Sequence, residues 1–170
     1  MMEQKGYYPE IIPAHIDETL PMDMSPEASV MYLAYKKAAC IFEKPESHKS
    51  ENRDVIIAAD TIVVFKGSII GKPAGKDEAF CILSSLRNSR HEVITGVCVF
   101  PQKHCFFDKT YVFFKDYSDK ELLEYVNTPE PYDKAGGYAI QGTFKKYIHH
   151  IEGDFDNVVG FPWYKVKPYL

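Results

Sequence analysis

The sequence predicts a single α/β domain spanning residues 1–170, built as a mixed, twisted sheet flanked by helices. Three observations carry this expectation. Helix signals occur in three separated places, and β-rich apolar runs lie between them. The two kinds of segment interleave without the strict alternation of a parallel βαβ fold. At 170 residues, 45% hydrophobic and 26% charged, the chain can bury a real core.

The elements follow in order. A first strand is expected around Ile11. Ser25-Pro26-Glu27 then supplies an N-cap, a proline at the first helical position and an early acid. Val30, Leu33, Ala34, Ala38 and Ile41 form the apolar stripe of that helix. The polar stretch EKPESHKSENRD, Glu43 to Asp54, reads as a loop. Strand segments are expected at Val55–Ala58 and Thr61–Phe65, on either side of Asp60. A second helix runs from about Lys76, with Ala79, Ile82, Leu83 and Leu86 at helical spacing. Glu92–Phe100 and Phe106–Phe114 suit a long hairpin turning near Pro101-Gln102-Lys103. Ser118-Asp119-Lys120-Glu121 is a capping box opening a third helix, and Tyr138–Gln141 reads as a last strand.

Composition excludes several functions. Twenty basic against 24 acidic side chains give a net charge of −4, which offers no footprint for nucleic acid or an anionic membrane. No apolar run approaches the roughly 18–20 residues that span a bilayer, and MMEQKGYYPE lacks a secretory pattern. Cys40, Cys81, Cys98 and Cys105 lie far apart with no CxxC spacing, so reduced, mostly buried thiols in a cytoplasmic protein are expected.

The chemistry-bearing candidates begin at Asp60, set inside the apolar run IIAADTIVV. A carboxylate there needs a partner or a task, such as binding a divalent metal or activating water. In Gly71-Lys72-Pro73, glycine permits close approach and proline stiffens the exit, so Lys72 is a defined cation. Lys36 and Lys37 close the first helix, and Asp17-Glu18 is an acidic pair that reads by default as loop. EPYDKAGGYAIQG, Glu130 to Gly142, combines adjacent glycines with Gln141, whose amide can read a base edge. His91, His149 and His150 lack ligand spacing. GDFDN, Gly153 to Asn157, reads as a turn. No GxxxxGK[ST], GxGxxG or GxSxG is present.

AADTIV, the GKP tripeptide, RHEVITGV (Arg90 to Val97), EPYDKAGGYAIQG and IEGDFDNVVGFP (Ile151 to Pro162) stand in an order that resembles the Maf family. The resemblance covers about residues 8 to 170. It implies the fold shared with inosine triphosphatases and hydrolysis of a nucleoside triphosphate to monophosphate and pyrophosphate with a divalent metal, Mg2+ or Mn2+. It also implies Asp60 as proton acceptor and Glu18 beside the metal, with Asp60 a further metal ligand. Lys37, in LAYKKA, and Lys72 would contact phosphate oxygens, and Thr61 and Gln141 would bear on base choice. Threonine at that place resembles the subgroup acting on dTTP and UTP. A homodimer is the usual family assembly. The pattern departs at one point: members open with a strand and a loop reading roughly SxSPRR, and no SPR occurs in this sequence. An N-terminally truncated form of the fold is therefore expected. A weakly active or non-catalytic nucleotide-binding remnant is the alternative function, and a purine enzyme of the inosine type is a third reading.

Overall fold

The computed structural model describes residues 1–44 and 55–170. Its first helix, α1 (Pro26–Phe42), starts where the sequence said it would: the Ser25 side chain accepts from the Ala28 N–H, and proline stands in the first turn. Strands β1 (Ile56–Phe65) and β2 (Ser68–Ile70) follow, then α2 (Lys76–Leu86) and the long hairpin of β3 (Arg90–Phe100) and β4 (His104–Phe114). Both halves of the capping box form at α3 (Asp119–Val126), which links Ser118 and Glu121 reciprocally. Strand β5 (Ile148–Glu152) and two short helices, α4 (Phe155–Val159) and α5 (Trp163–Val166), come last.

The strands order β2-β1-β3-β4-β5, and among the described residues every pairing is antiparallel. The sheet is covered on both sides, which explains why β1 and β3 are apolar almost throughout. Ile56, Ala58, Ile62 and Val64 of β1 pack under α1 with Ile94, Cys98 and Phe100 of β3. The alternate residues Ile57 and Ala59 meet Val97, Val99, Phe161 and Val166 on the other side. Val63 and Val93 join the larger core with Leu83 and Leu86 of α2, Leu122 and Val126 of α3, and Phe144. All five residues of the α1 stripe are buried.

One glycine sets how closely α1 lies on the sheet. Gly96 of β3 sits directly under the helix, where a Cβ would fall within 2.6 Å of the Met31 nitrogen and closer still to the Val30 carbonyl. No side chain fits there. Lys109 of β4 fixes the start of α1, with its ammonium 2.8 Å from Glu27 and 2.9 Å from Glu92.

Several expectations change. The two segments around Asp60 are one uninterrupted strand, with Asp60 paired to Gly96 and Thr61 to Thr95. No strand forms around Ile11, which is exposed; that segment instead crosses to α1, where Lys36 donates to the Asp17 carbonyl. Tyr138–Gln141 is not a strand either. Gly136 and Gly137 turn the chain with φ of 72° and 74°, which delivers Tyr138 to the core. Cys98 and Cys105 face each other across the hairpin and are disulfide-bonded, while Cys40 is half-buried and Cys81 exposed. The expectation of reduced, mostly buried thiols is corrected accordingly. From residue 45 the expected Glu43–Asp54 loop lies outside the described residues. No helix among the described residues is long and apolar enough to cross a membrane.

Gly96→Ala should lower stability by about 1–3 kcal/mol through overpacking against helix backbone. Gly71→Ala, where an added Cβ meets nothing within 4 Å, is the control. Urea unfolding of both variants measures this, and equal midpoints would show that α1 has room to spare.

Candidate functional site

A cleft of about 620 Å³ wraps the outer edge of β1, where β2 pairs only with Val63, Val64 and Phe65. Its lining includes Glu18, Lys37, Asp60, Thr61, Lys72 and Gln141. All six residues singled out in the sequence therefore line one cleft that wraps the strand edge, although they span 124 positions of the chain.

The centre of the cleft is an ammonium held by two carboxylates. Lys37 Nζ lies 2.6 Å from Asp60 Oδ1 and 3.0 Å from Glu18 Oε1. Asp60 reaches it because period-two alternation turns this residue to the α1 side of β1. Lys37 reaches it from the sheet-facing stripe of α1, standing seven residues after Val30 and three after Ala34. A lysine at such a position must find a carboxylate, and this spacing is a signal by which it could have been picked out without any family pattern. Glu18 is more exposed and comes from the extended segment before α1, so one member of the acidic pair that read as loop belongs to the site, while Asp17 accepts from the Thr19 N–H.

Burial pushes the Asp60 carboxyl above the ordinary carboxylate value. The Lys37 hydrogen bond and charge pull the other way, as does Lys72 more weakly, while Glu18 adds to the rise. Burial also opposes the charge on Lys37, but its two carboxylate partners outweigh this and hold its pKa above the usual value.

The opposite wall is the Glu130–Gly142 segment. The Gly136 N–H donates to the Gly71 carbonyl at 3.1 Å, tying this segment to the turn that presents Lys72. Gly136 also lies against Val63, whose Cγ2 would be 2.9 Å from an added Cβ. This is the close backbone approach that the paired glycines implied. Behind it, Tyr138 is buried with its hydroxyl 2.7 Å from His91 Nε2, and burial pushes the His91 pKa down to about 3. His91 is therefore a neutral core residue; His149 and His150 are exposed.

Glu130 is a residue that the sequence did not reveal. Its carboxylate accepts from Thr143 N and Oγ1, at 3.0 and 2.9 Å, and from the Tyr125 hydroxyl at 3.0 Å. It fills the space beside Gly142 that a Cβ would need, and so holds the turn that follows Gln141. Nothing local to Glu130 announces this role. It exists only once the segment folds back on α3.

Among the described residues no three or more His, Cys, Asp or Glu side chains gather as a metal site. Two carboxylates converging on one cation are nevertheless the donor set that Mg2+ uses when substrate phosphates and water complete its shell. Glu18 and Asp60 are donors of the kind such an ion takes, and in this structure both are engaged by Lys37.

The Maf-like protein family matches residues 1–170. The chain is 42% identical over 174 residues to the dTTP/UTP pyrophosphatase of Caldicellulosiruptor saccharolyticus, covering 100% of this chain and 86% of that protein. It is 43% identical over 172 residues to the dTTP/UTP pyrophosphatase of Caldicellulosiruptor bescii, covering 98% and 85%. The protein of the same description from Geobacillus sp. strain WCH70 is 41% identical over 156 residues, covering 90% and 80%.

The shifted carboxyl is directly measurable. A 13C titration should place the Asp60 carboxyl midpoint above the free value of about 3.9, and higher again in Lys37→Met, where the lowering partner is gone. A midpoint below 3.9, or one unmoved by Lys37→Met, would contradict the geometry described.

Proposed function

The chain belongs to the Maf-like protein family, and from that premise we propose that it is a nucleoside triphosphate pyrophosphatase, releasing pyrophosphate and a monophosphate from dTTP, UTP or a related pyrimidine nucleotide. The observation that carries this reading is the convergence of Glu18, Lys37, Asp60, Thr61, Lys72 and Gln141 on one cleft.

Each side chain has a task. Asp60 accepts the proton of the attacking water, and its raised pKa brings it closer to the range in which a base works at neutral pH. Lys72 is exposed at the mouth and meets phosphate oxygens. Lys37 orients the Asp60 carboxylate and meets phosphate from the other side. Glu18 and Asp60 would hold a divalent cation, Mg2+ or Mn2+, which when bound neutralises phosphate charge. Thr61 and Gln141 face the base. Phosphoryl chemistry asks chiefly for positioning and charge neutralisation, which this set supplies. Activity requires ionised Asp60, so it rises with pH through the Asp60 pKa. The reading includes cytoplasmic action on free nucleotides and, on the family resemblance alone, a homodimer; nucleic acid and membrane are not among its partners.

The second reading, nucleotide binding without turnover, rests on Lys37. Its charge is already engaged by two carboxylates and is less free to meet developing charge on phosphate.

Pyrophosphate release from UTP, dTTP, CTP, ITP and ATP with Mg2+ or Mn2+ separates these readings. Turnover is expected on the uracil and thymine nucleotides, and Asp60→Asn should lower kcat by about 10²–10⁴-fold, the usual span for loss of a positioned base. Binding without release would support the second reading. Undiminished turnover in Asp60→Asn would remove Asp60 from the chemistry, and a clear preference for ITP would move the substrate class to purines.

A further inference from the structure

Thr61 and Thr95 stand opposite each other in the β1–β3 register, with their Oγ1 atoms 2.9 Å apart. Thr95 is fully buried, and its hydroxyl also donates to the main-chain carbonyl of Asn157 at 3.0 Å. A threonine hydroxyl has one hydrogen and two lone-pair sites, whereas a carbonyl can only accept. The single hydrogen of Thr95 is therefore committed to Asn157. The 2.9 Å contact must then use the hydrogen of Thr61. Thr61 lines the cleft, so what its hydroxyl offers a ligand there is lone pairs alone.

The far end of this relay is itself fixed. Asn157 is fully buried, and its Nδ2 donates to the Val93 carbonyl at 3.1 Å and to Thr110 Oγ1 at 3.0 Å. Thr110 in turn donates to the Asp154 carbonyl at 2.9 Å. The residue whose carbonyl takes the Thr95 hydrogen is thus anchored to β3 and β4. Gly160 guards the near end, since a Cβ there would lie 3.2 Å from Thr61 Oγ1.

We propose that Thr95 is a positioning residue for nucleobase choice: by taking the hydrogen of Thr61 it makes Thr61 a fixed acceptor, which selects bases with a ring N–H and rejects those with a ring-nitrogen lone pair. This rests on the cleft being the nucleotide site. Among pyrimidines it separates uracil and thymine, which present N3–H, from cytosine, whose N3 is an acceptor. Gln141 cannot make that distinction by itself, because its amide can turn either its oxygen or its NH2 group to the base. Thr61, tied through Thr95 to Asn157, has no such freedom.

The test compares dissociation constants for α,β-imido-UTP and α,β-imido-CTP with kcat and KM for UTP and CTP. It uses wild type, Thr95→Val, Thr95→Ser and Thr61→Val. Wild type should favour the uracil nucleotide by about tenfold or more, since an unpaired polar edge in a built site is discriminated strongly. Thr95→Val frees the Thr61 hydrogen, so most of that ratio should vanish through a lower KM for CTP, while Thr95→Ser keeps it. If Thr95→Val folds poorly, Thr61→Val still decides the matter. Under the relay it weakens the uracil nucleotide alone. A freely rotating hydroxyl would serve both bases, and its loss would then cost both equally. Equal losses in either variant with the ratio intact, or a wild type without preference, would overturn the proposal. If no triphosphate is hydrolysed, the pyrophosphatase reading fails, while the two imido analogues still report on the relay.

Discussion

A lysine ammonium wedged between two carboxylates holds three remote parts of this chain in register. Asp60 comes from the middle of a strand, Lys37 from the sheet-facing side of a helix, and Glu18 from an extended segment before that helix. Taking Asp60 and Lys37 out of water costs free energy, and their mutual attraction offsets that cost only while the geometry is close. The geometry is set by what surrounds them. Gly96 lets α1 lie against β3 with no side chain between, and Lys109 fixes the helix at its start. The apolar stripe from Val30 to Ile41 supplies the packing that keeps the helix there. The ion pair is therefore a consequence of close packing as much as a cause of it.

The cleft faces this pair with a wall of a different kind. The Glu130–Gly142 segment is built from two short 3-10 turns, Glu130–Asp133 and Ala135–Gly137, and hydrogen bonds hold it in place of strand pairing. Glu130 ties it to α3 and Thr143, Gly136 ties it to the turn before Lys72, and Tyr138 closes on His91 in the core. This wall brings Gln141 to the cleft that Lys72 also lines.

Much of this was legible in the sequence because it depends on local rules. Ser25-Pro26 and Ser118 through Glu121 specify helix starts by themselves, and the alternation around Pro101 specifies the hairpin. Asp60 was conspicuous because a carboxylate inside IIAADTIVV has no apolar explanation. Tyr138–Gln141 was misread as a strand because its apolar residues serve core packing from a turn, and the turn depends on positive φ at both preceding glycines. The Cys98–Cys105 bridge escaped because only the hairpin register puts those residues opposite each other. Glu130, Thr95 and Asn157 escaped for a related reason: Thr95 and Asn157 act through partners more than 30 positions distant, and Glu130 joins the near Tyr125 to Thr143, 13 positions away, so no local spacing encodes their roles.

The claim on which all of this stands is that Lys37 and Asp60 act as one unit. A double-mutant cycle on stability, with Lys37→Met, Asp60→Asn and the double variant in urea at pH 7, measures that directly. Lys37→Met leaves the Asp60 carboxylate without its ammonium, and Asp60→Asn leaves Lys37 with Glu18 alone, so the double variant should be less destabilised than the sum. A coupling of about 1 kcal/mol or more is expected for groups in direct contact. Additive effects would contradict the account, because they would mean that the helix and the strand bring these residues together without the pair contributing to holding the cleft in place.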